Sequence, residues 1–308
     1  MSGRTIYFLA ACGLMATKPA HADEAATVVL EPSSPWQLDY AETRCRIGRV
    51  FGEGETRSIF YMEQHEPSDD VAWVVAGDAF AAIRSARPFE AQFGPGIDPY
   101  TLEPDVVLTL GGYSASLRGN GIDAPDVKST RNMRQAAAMR TNKFTAENPI
   151  GLPALDAVRG KGIDWVEISQ GSDRIRLNTG NMGAVFEAMN ACMADLVTHW
   201  GANPEALKAR VTPPMPSNFV QVAKRIQTSY PLPAERVGES ADLHIRMMVS
   251  ATGEVESCHT TDLTKAENFD DRACEIFSKY ARFEPATGAD GKAMASYYVT
   301  RISYRLIR

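Results

Sequence analysis

The 308-residue sequence predicts an α+β protein: a mostly β N-terminal domain closed by a helix, then a small C-terminal domain of helix, β-hairpin, helix and strand. Three observations carry this. Short segments that alternate apolar and polar residues, broken by glycines, fill most of the region from Trp36 to Asn178. Met182, Val185, Phe186, Met189, Cys192, Met193, Leu196, Val197 and Trp200 then recur at steps of three and four, the spacing of one helix face. Pro213, Pro214 and Pro216 follow and forbid a continuous helix into the next patterned region.

Residues 1–22 read as a cleaved secretory signal peptide. Arg4 supplies the positive start, Thr5–Ala16 is almost wholly apolar, and Ala20-His21-Ala22 has the small-x-small form of a cleavage site. The apolar run is well short of the ~20 residues that a spanning helix takes. Leu9–Cys12 has the form of a lipobox, but its apolar segment is very short, so a soluble periplasmic chain is expected ahead of a lipoprotein at Cys12. Without Arg4 and Lys18, 30 basic side chains face 38 acidic ones, a net charge of −8. A chain so acidic is a poor partner for nucleic acid, since it has no basic surface to displace counterions. Four of the five cysteines remain; in an exported chain they read as two disulfides with three possible pairings.

The N-terminal domain is expected over 23–201. Around "GEGE", Gly52 and Gly54 suit a tight turn between two antiparallel strands in Trp36–Glu66. Further strands are expected at Val71–Gly77, Phe89–Phe93, Val106–Leu110, Ala115–Leu117, Asp164–Ser169 and Arg174–Asn178, with a short helix near Pro153–Arg159. Asn120–Asn148 is polar, shows no period, and is read as irregular. The long helix then closes the domain, with Gly201 just past its end. Residues 202–216 are the linker candidate.

In the C-terminal domain, 217–308, a short helix is expected at Phe219–Ile226. Leu243, Ile245, Met247 and Val249 share one face of a strand, Gly253 turns the chain, and Val255 onward returns it. Parity changes between Val255 and Cys258, which calls for a bulge or a strong twist there. Asn268 is the expected cap of a helix whose inner face is Phe269, Ala273, Ile276, Phe277 and Tyr280. Ser296–Ile307 is the last strand.

This order resembles the C-terminal domain of TonB-family energy transducers. The matching residues are Tyr230-Pro231, Ala234, Gly238, Val249, Gly253, Val255, Phe269-Asp270, Arg282-Phe283-x-Pro285-Ala286 and Gly291. Ala281 stands where family members often carry tryptophan. The chain is expected to have neither the uncleaved anchor nor the long Pro-rich span of TonB proteins. The N-terminal part, with Trp36, Cys45 and "NACMADLVTHWG", resembles uncharacterised periplasmic proteins of alphaproteobacteria, and "GLPALDAVRGKGIDWVEIS" is similar to invasion-associated locus B-like proteins.

The resemblance implies a partner: the short TonB-box segment of an outer-membrane receptor, with membrane contact only through such partners. The physical route is β-augmentation at a sheet edge formed by Tyr298, Thr300, Ile302, Tyr304 and Leu306. Arg301, Arg305 and Arg308 would either attract acidic partners or guard the edge against aggregation. Cys258 on the hairpin and Cys274 on the following helix are expected to pair, as are Cys45 and Cys192, each within its own domain.

No motif nominates a catalytic, cofactor-binding or metal-binding residue, and no cofactor is expected. His65, His199, His244 and His259 lack partners at ligand spacing; Cys258 and His259, adjacent on a strand, point to opposite faces. A non-catalytic binding protein is therefore the expectation. The alternative is an adaptor or ligand-binding protein whose site lies in the N-terminal domain. Ser217–Arg308 holds 12 basic and 12 acidic residues, so the whole acidic excess lies upstream.

Overall fold

The structure, a computed structural model, describes residues 27–84, 86–103, 112–113, 116–140, 144–147, 149–262 and 267–305. The signal-peptide region, the expected strand at Val106–Leu110, and Leu306 and Arg308 lie outside them. Strands and helices occur together in several sheets, an α+β architecture.

The N-terminal domain is built from two five-stranded sheets packed face to face. In the first, Gln37–Ala41, Arg44–Phe51, Ser58–Gln64, Ala72–Gly77 and Ser116–Asn120 run antiparallel in that order. The segment Trp36–Glu66 thus holds three strands, not two. A turn at Glu42-Thr43 divides them without the glycine or asparagine that would have marked it. Glycine is required at Gly52, where φ is +65° and a Cβ would lie 2.7 Å from the Thr56 carbonyl oxygen. The second sheet is ordered Val28–Leu30, Asp173–Leu177, Trp165–Gln170, Phe89–Gly94 and Tyr100–Leu102, its first pair parallel.

Apolar residues at alternate positions meet between the sheets. Phe60 and Trp73 of the first approach Phe93 of the second with ring centroids at 6.3 and 5.9 Å. The helix Gly183–His199 buries Val185, Phe186, Met189, Cys192, Met193, Leu196 and Val197 in the same core.

Pro125–Arg140, expected to be irregular, is helical. Pro125 suits a first helical position. The two apolar side chains described on this helix, Val127 and Met133, are exposed, so neither marks a buried face. Lys128 on this helix instead forms an ion pair with the buried Asp70. The short helix expected near Pro153–Arg159 begins later, at Ala157–Gly160, where the Asp156 carboxylate accepts the Arg159 N–H.

In the C-terminal domain Ala241–Val249 is the central strand, with Val255–Asp262 on one side and Ser296–Tyr304 on the other. Met248 pairs with Ser257 but Val249 with Val255, leaving Glu256 unopposed. That is a bulge where the parity changes. Helices Phe219–Gln227 and Arg272–Tyr280 cover one face, packing Val222, Ile226, Ala273, Ile276 and Phe277 against Leu243, Ile245, Met247 and Val249. A further short helix, Leu232–Val237, ends at Gly238 in the left-handed conformation.

The opposite face of that sheet is covered too. Met248 and Tyr297 are buried in the N-terminal core. Residues 202–216 join both bodies. Asn203 caps a helix over Pro204–Lys208 whose Leu207 enters the N-terminal core. Arg210–Thr212 and Met215–Pro216 then pair with Ala286–Gly288 and Phe283–Glu284.

Candidate peptide-binding edge

Ser296–Tyr304 is paired along all nine residues with Ala241–Val249, and among the described residues no other strand flanks it. Alternate residues of such a strand direct their N–H and C=O groups away from the ladder, a template for another chain.

Side-chain alternation decides what this edge displays. Tyr298 packs at 5.0 Å from Phe283, and Tyr304 at 5.0 Å from Phe269 and 5.3 Å from Tyr230. Ile302 is also packed on the C-terminal core, and Thr300 has the same parity. Four of the residues nominated from the sequence therefore turn their side chains toward the helices, and the edge they form is one of main-chain groups.

The arginines divide. Arg305 donates to both carboxylate oxygens of Asp242 at 2.9 and 2.8 Å and to the carbonyls of Ala241 and Tyr304. It ties down the end of the sheet. The Ser303 hydroxyl, at 2.6 Å, and Arg305 hold the Asp242 carboxyl below its usual range. Arg301 is exposed midway along the edge.

The residues that carried the family resemblance meet in space. Gly253, at φ +83°, accepts the Phe283 N–H at 2.9 Å, and a Cβ there would stand 1.9 Å from the Phe283 carbonyl oxygen. Only glycine lets the hairpin turn touch the Arg282-Phe283 segment. The Tyr230 hydroxyl donates to the Glu239 carbonyl. The Glu239 carboxylate in turn accepts the backbone N–H groups of Glu267 and Asn268 and the Asn268 side-chain amide. Asn268 is thus not the helix cap. The helix begins at Arg272, whose N–H is accepted by the Asp270 carboxylate. Ala281, where the family's tryptophan would stand, is buried.

Both cysteine pairs are joined. Cys45 and Cys192 link the first sheet to the long helix with Cα atoms 6.1 Å apart, and Cys258 and Cys274 link hairpin to helix at 5.4 Å.

The far face of the sheet, which sequence reasoning left unassigned, meets the N-terminal domain. Trp200, just past the long helix, sets its ring edge-on to Tyr297 at 5.7 Å, and the Arg246 guanidinium lies 4.1 Å from its centroid. Arg210 donates to the Ser296 hydroxyl and the Gly151 carbonyl. His65 and His244, far apart in sequence, lie with ring centroids 5.9 Å apart across the seam, each 3.7 Å from a glutamate: Glu63 and Glu66 respectively. Among the described residues no group of three or more histidine, cysteine, aspartate or glutamate side chains is arranged to hold a metal ion. Nor is any described helix long and apolar enough to cross a membrane.

No curated protein sequence matches the chain. Residues 226–306, which contain the hairpin, its disulfide and the edge strand, match the family described as Gram-negative bacterial TonB protein C-terminal.

Proposed function

We propose that the chain is a non-catalytic periplasmic protein whose C-terminal domain binds an extended segment of an envelope partner, such as an outer-membrane receptor, along Ser296–Tyr304. The observation that carries this is the outermost position of that nine-residue strand within the family-matched stretch. Its aromatic side chains are committed to the core, so recognition rests on main-chain hydrogen bonds. Arg301 is the exposed charge at the edge and favours an acidic residue in the partner.

Isothermal titration of the full mature chain with receptor-derived extended peptides tests this reading. Saturable binding is expected, and it should be abolished when alternate peptide nitrogens are N-methylated on the pairing side. Binding that is indifferent to N-methylation at every position, or no binding at all, overturns it.

A further inference from the structure

Arg246 occupies an unusual position. It is only 8% exposed, yet among the described residues no carboxylate or carbonyl accepts from its guanidinium, and its Nε is fully covered without a partner. Buried guanidinium groups are ordinarily paired, because five donors and a full charge are costly to strip of water. Among the described residues, the contact made by its cation is the Trp200 ring at 4.1 Å. Burial pulls its pKa down to about 10.

The surroundings add further cationic capacity. His259 is the direct cross-strand neighbour of Arg246 on the hairpin's outer strand and is exposed. His199, at the C-terminal end of the long helix, is exposed and close enough for its charge to act on His259. Asp271 is the acidic group acting on His259 in the opposite sense. Burial first, then Arg246, depresses the His259 pKa, so Arg246 rather than His259 supplies the standing positive charge.

We infer that Arg246, backed by Trp200 and flanked by His259 and His199, is a seat for a carboxylate at the seam between the two domains. A guanidinium fork matches a carboxylate through two parallel N–H donors, and its single charge suits a singly charged acceptor. A free small dicarboxylic acid and an acidic side chain of a bound peptide share this chemistry. The seat lies on the sheet face turned away from the helices, so it does not depend on the edge-strand reading.

Succinate and a tetra-aspartate peptide, titrated separately into the full mature chain at low ionic strength, distinguish the sources. NMR of the histidine ring protons is the readout. At least one probe should bind saturably and raise the His259 pKa, since a bound anion favours the imidazolium. Succinate alone would identify a small-molecule seat, and the peptide alone a protein-recognition seat. Arg246→Met, which keeps an apolar stem against Trp200, should weaken binding at least tenfold; Arg246→Lys should retain part of it. Should Arg246→Met fail to fold, the wild-type His259 shift still decides the matter. Absence of saturable binding by both probes, or unchanged affinity in a folded Arg246→Met, overturns the assignment.

Discussion

Replacing Trp200 by alanine tests how firmly the two domains hold each other. The side chain is 8% exposed and is wedged between Arg246 and Tyr297, both from the C-terminal sheet, while its backbone ends the N-terminal helix. Truncating a buried aromatic to alanine costs about 3–5 kcal/mol. The Trp200 indole N–H is buried without a partner among the described residues, a penalty the wild-type already bears and the variant sheds. The expected loss is therefore at the low end, about 3 kcal/mol, or roughly two decades in an opening equilibrium. Hydrogen exchange with mass spectrometry reads it locally. Amides of Ala241–Val249 and Ser296–Tyr304 should exchange on the order of a hundredfold faster, whereas Ser58–Gln64, in the interior of the first sheet, should hold its protection. Trp200→Phe, which keeps a ring and removes the orphan donor, should stay near wild-type. A loss below about 0.5 kcal/mol in Trp200→Ala would refute the reasoning, because a buried contact of this kind cannot be that cheap.

Removing Cys45–Cys192 by paired alanine substitutions should cost more than removing Cys258–Cys274. Closing 147 residues rather than 16 is worth about 5 against about 3 kcal/mol in the chain-entropy model; urea unfolding that found the reverse order would contradict it. Gly253→Ala should destabilise by about 3 kcal/mol or more, since it adds a backbone clash to the left-handed penalty, whereas Gly54→Ala, which meets nothing within 4 Å, should cost only about 1–2. Acid stability should depend on Glu63. Burial alone would raise its pKa, but His65 and the Arg46 guanidinium, at 2.7 Å, hold it at about 2. A depressed carboxyl pKa contributes stability that is complete above its unfolded value near 4.5 and is lost as pH falls toward 2. Glu63→Gln should flatten the unfolding curve in that window, by on the order of 1–3 kcal/mol after allowing for partial solvent access.

The C-terminal domain was readable because its signals are local. Gly253 marks the hairpin, the parity change around Glu256 marks the bulge, and Ala273, Ile276 and Phe277 mark a helix face. What escaped has physical causes. Pro125–Arg140 is a surface helix whose described apolar side chains bury nothing, so no period appears. Glu42-Thr43 turns the chain without turn-forming residues. Asn268 suited a cap by position, but a carboxylate 29 residues upstream, Glu239, took it. The seam was invisible because Ala241–Val249 is buried on both faces. Leu243, Ile245, Met247 and Val249 formed a clear stripe, and the partners of Met248 and Arg246 lie in another domain. For the edge strand, its existence was legible, but the inward commitment of Tyr298 and Tyr304 required knowing which face the helices cover.

The disulfide connectivity also bears on how the chain is made. Cys45, Cys192, Cys258 and Cys274 follow one another along the described chain, and each bridge joins neighbours in that succession. A polypeptide is delivered N-terminus first, so a catalyst that oxidises cysteines as they emerge forms each native bond by joining a waiting thiol to the next arrival. Cys45 must remain reduced while 147 residues follow it, and during that interval no other cysteine of this set is present to trap it. Had the bridges been nested or crossed, vectorial oxidation would have made wrong pairs first and left their correction to slow thiol exchange. Joined in this order, Cys45, Cys192, Cys258 and Cys274 need no exchange of partners among themselves.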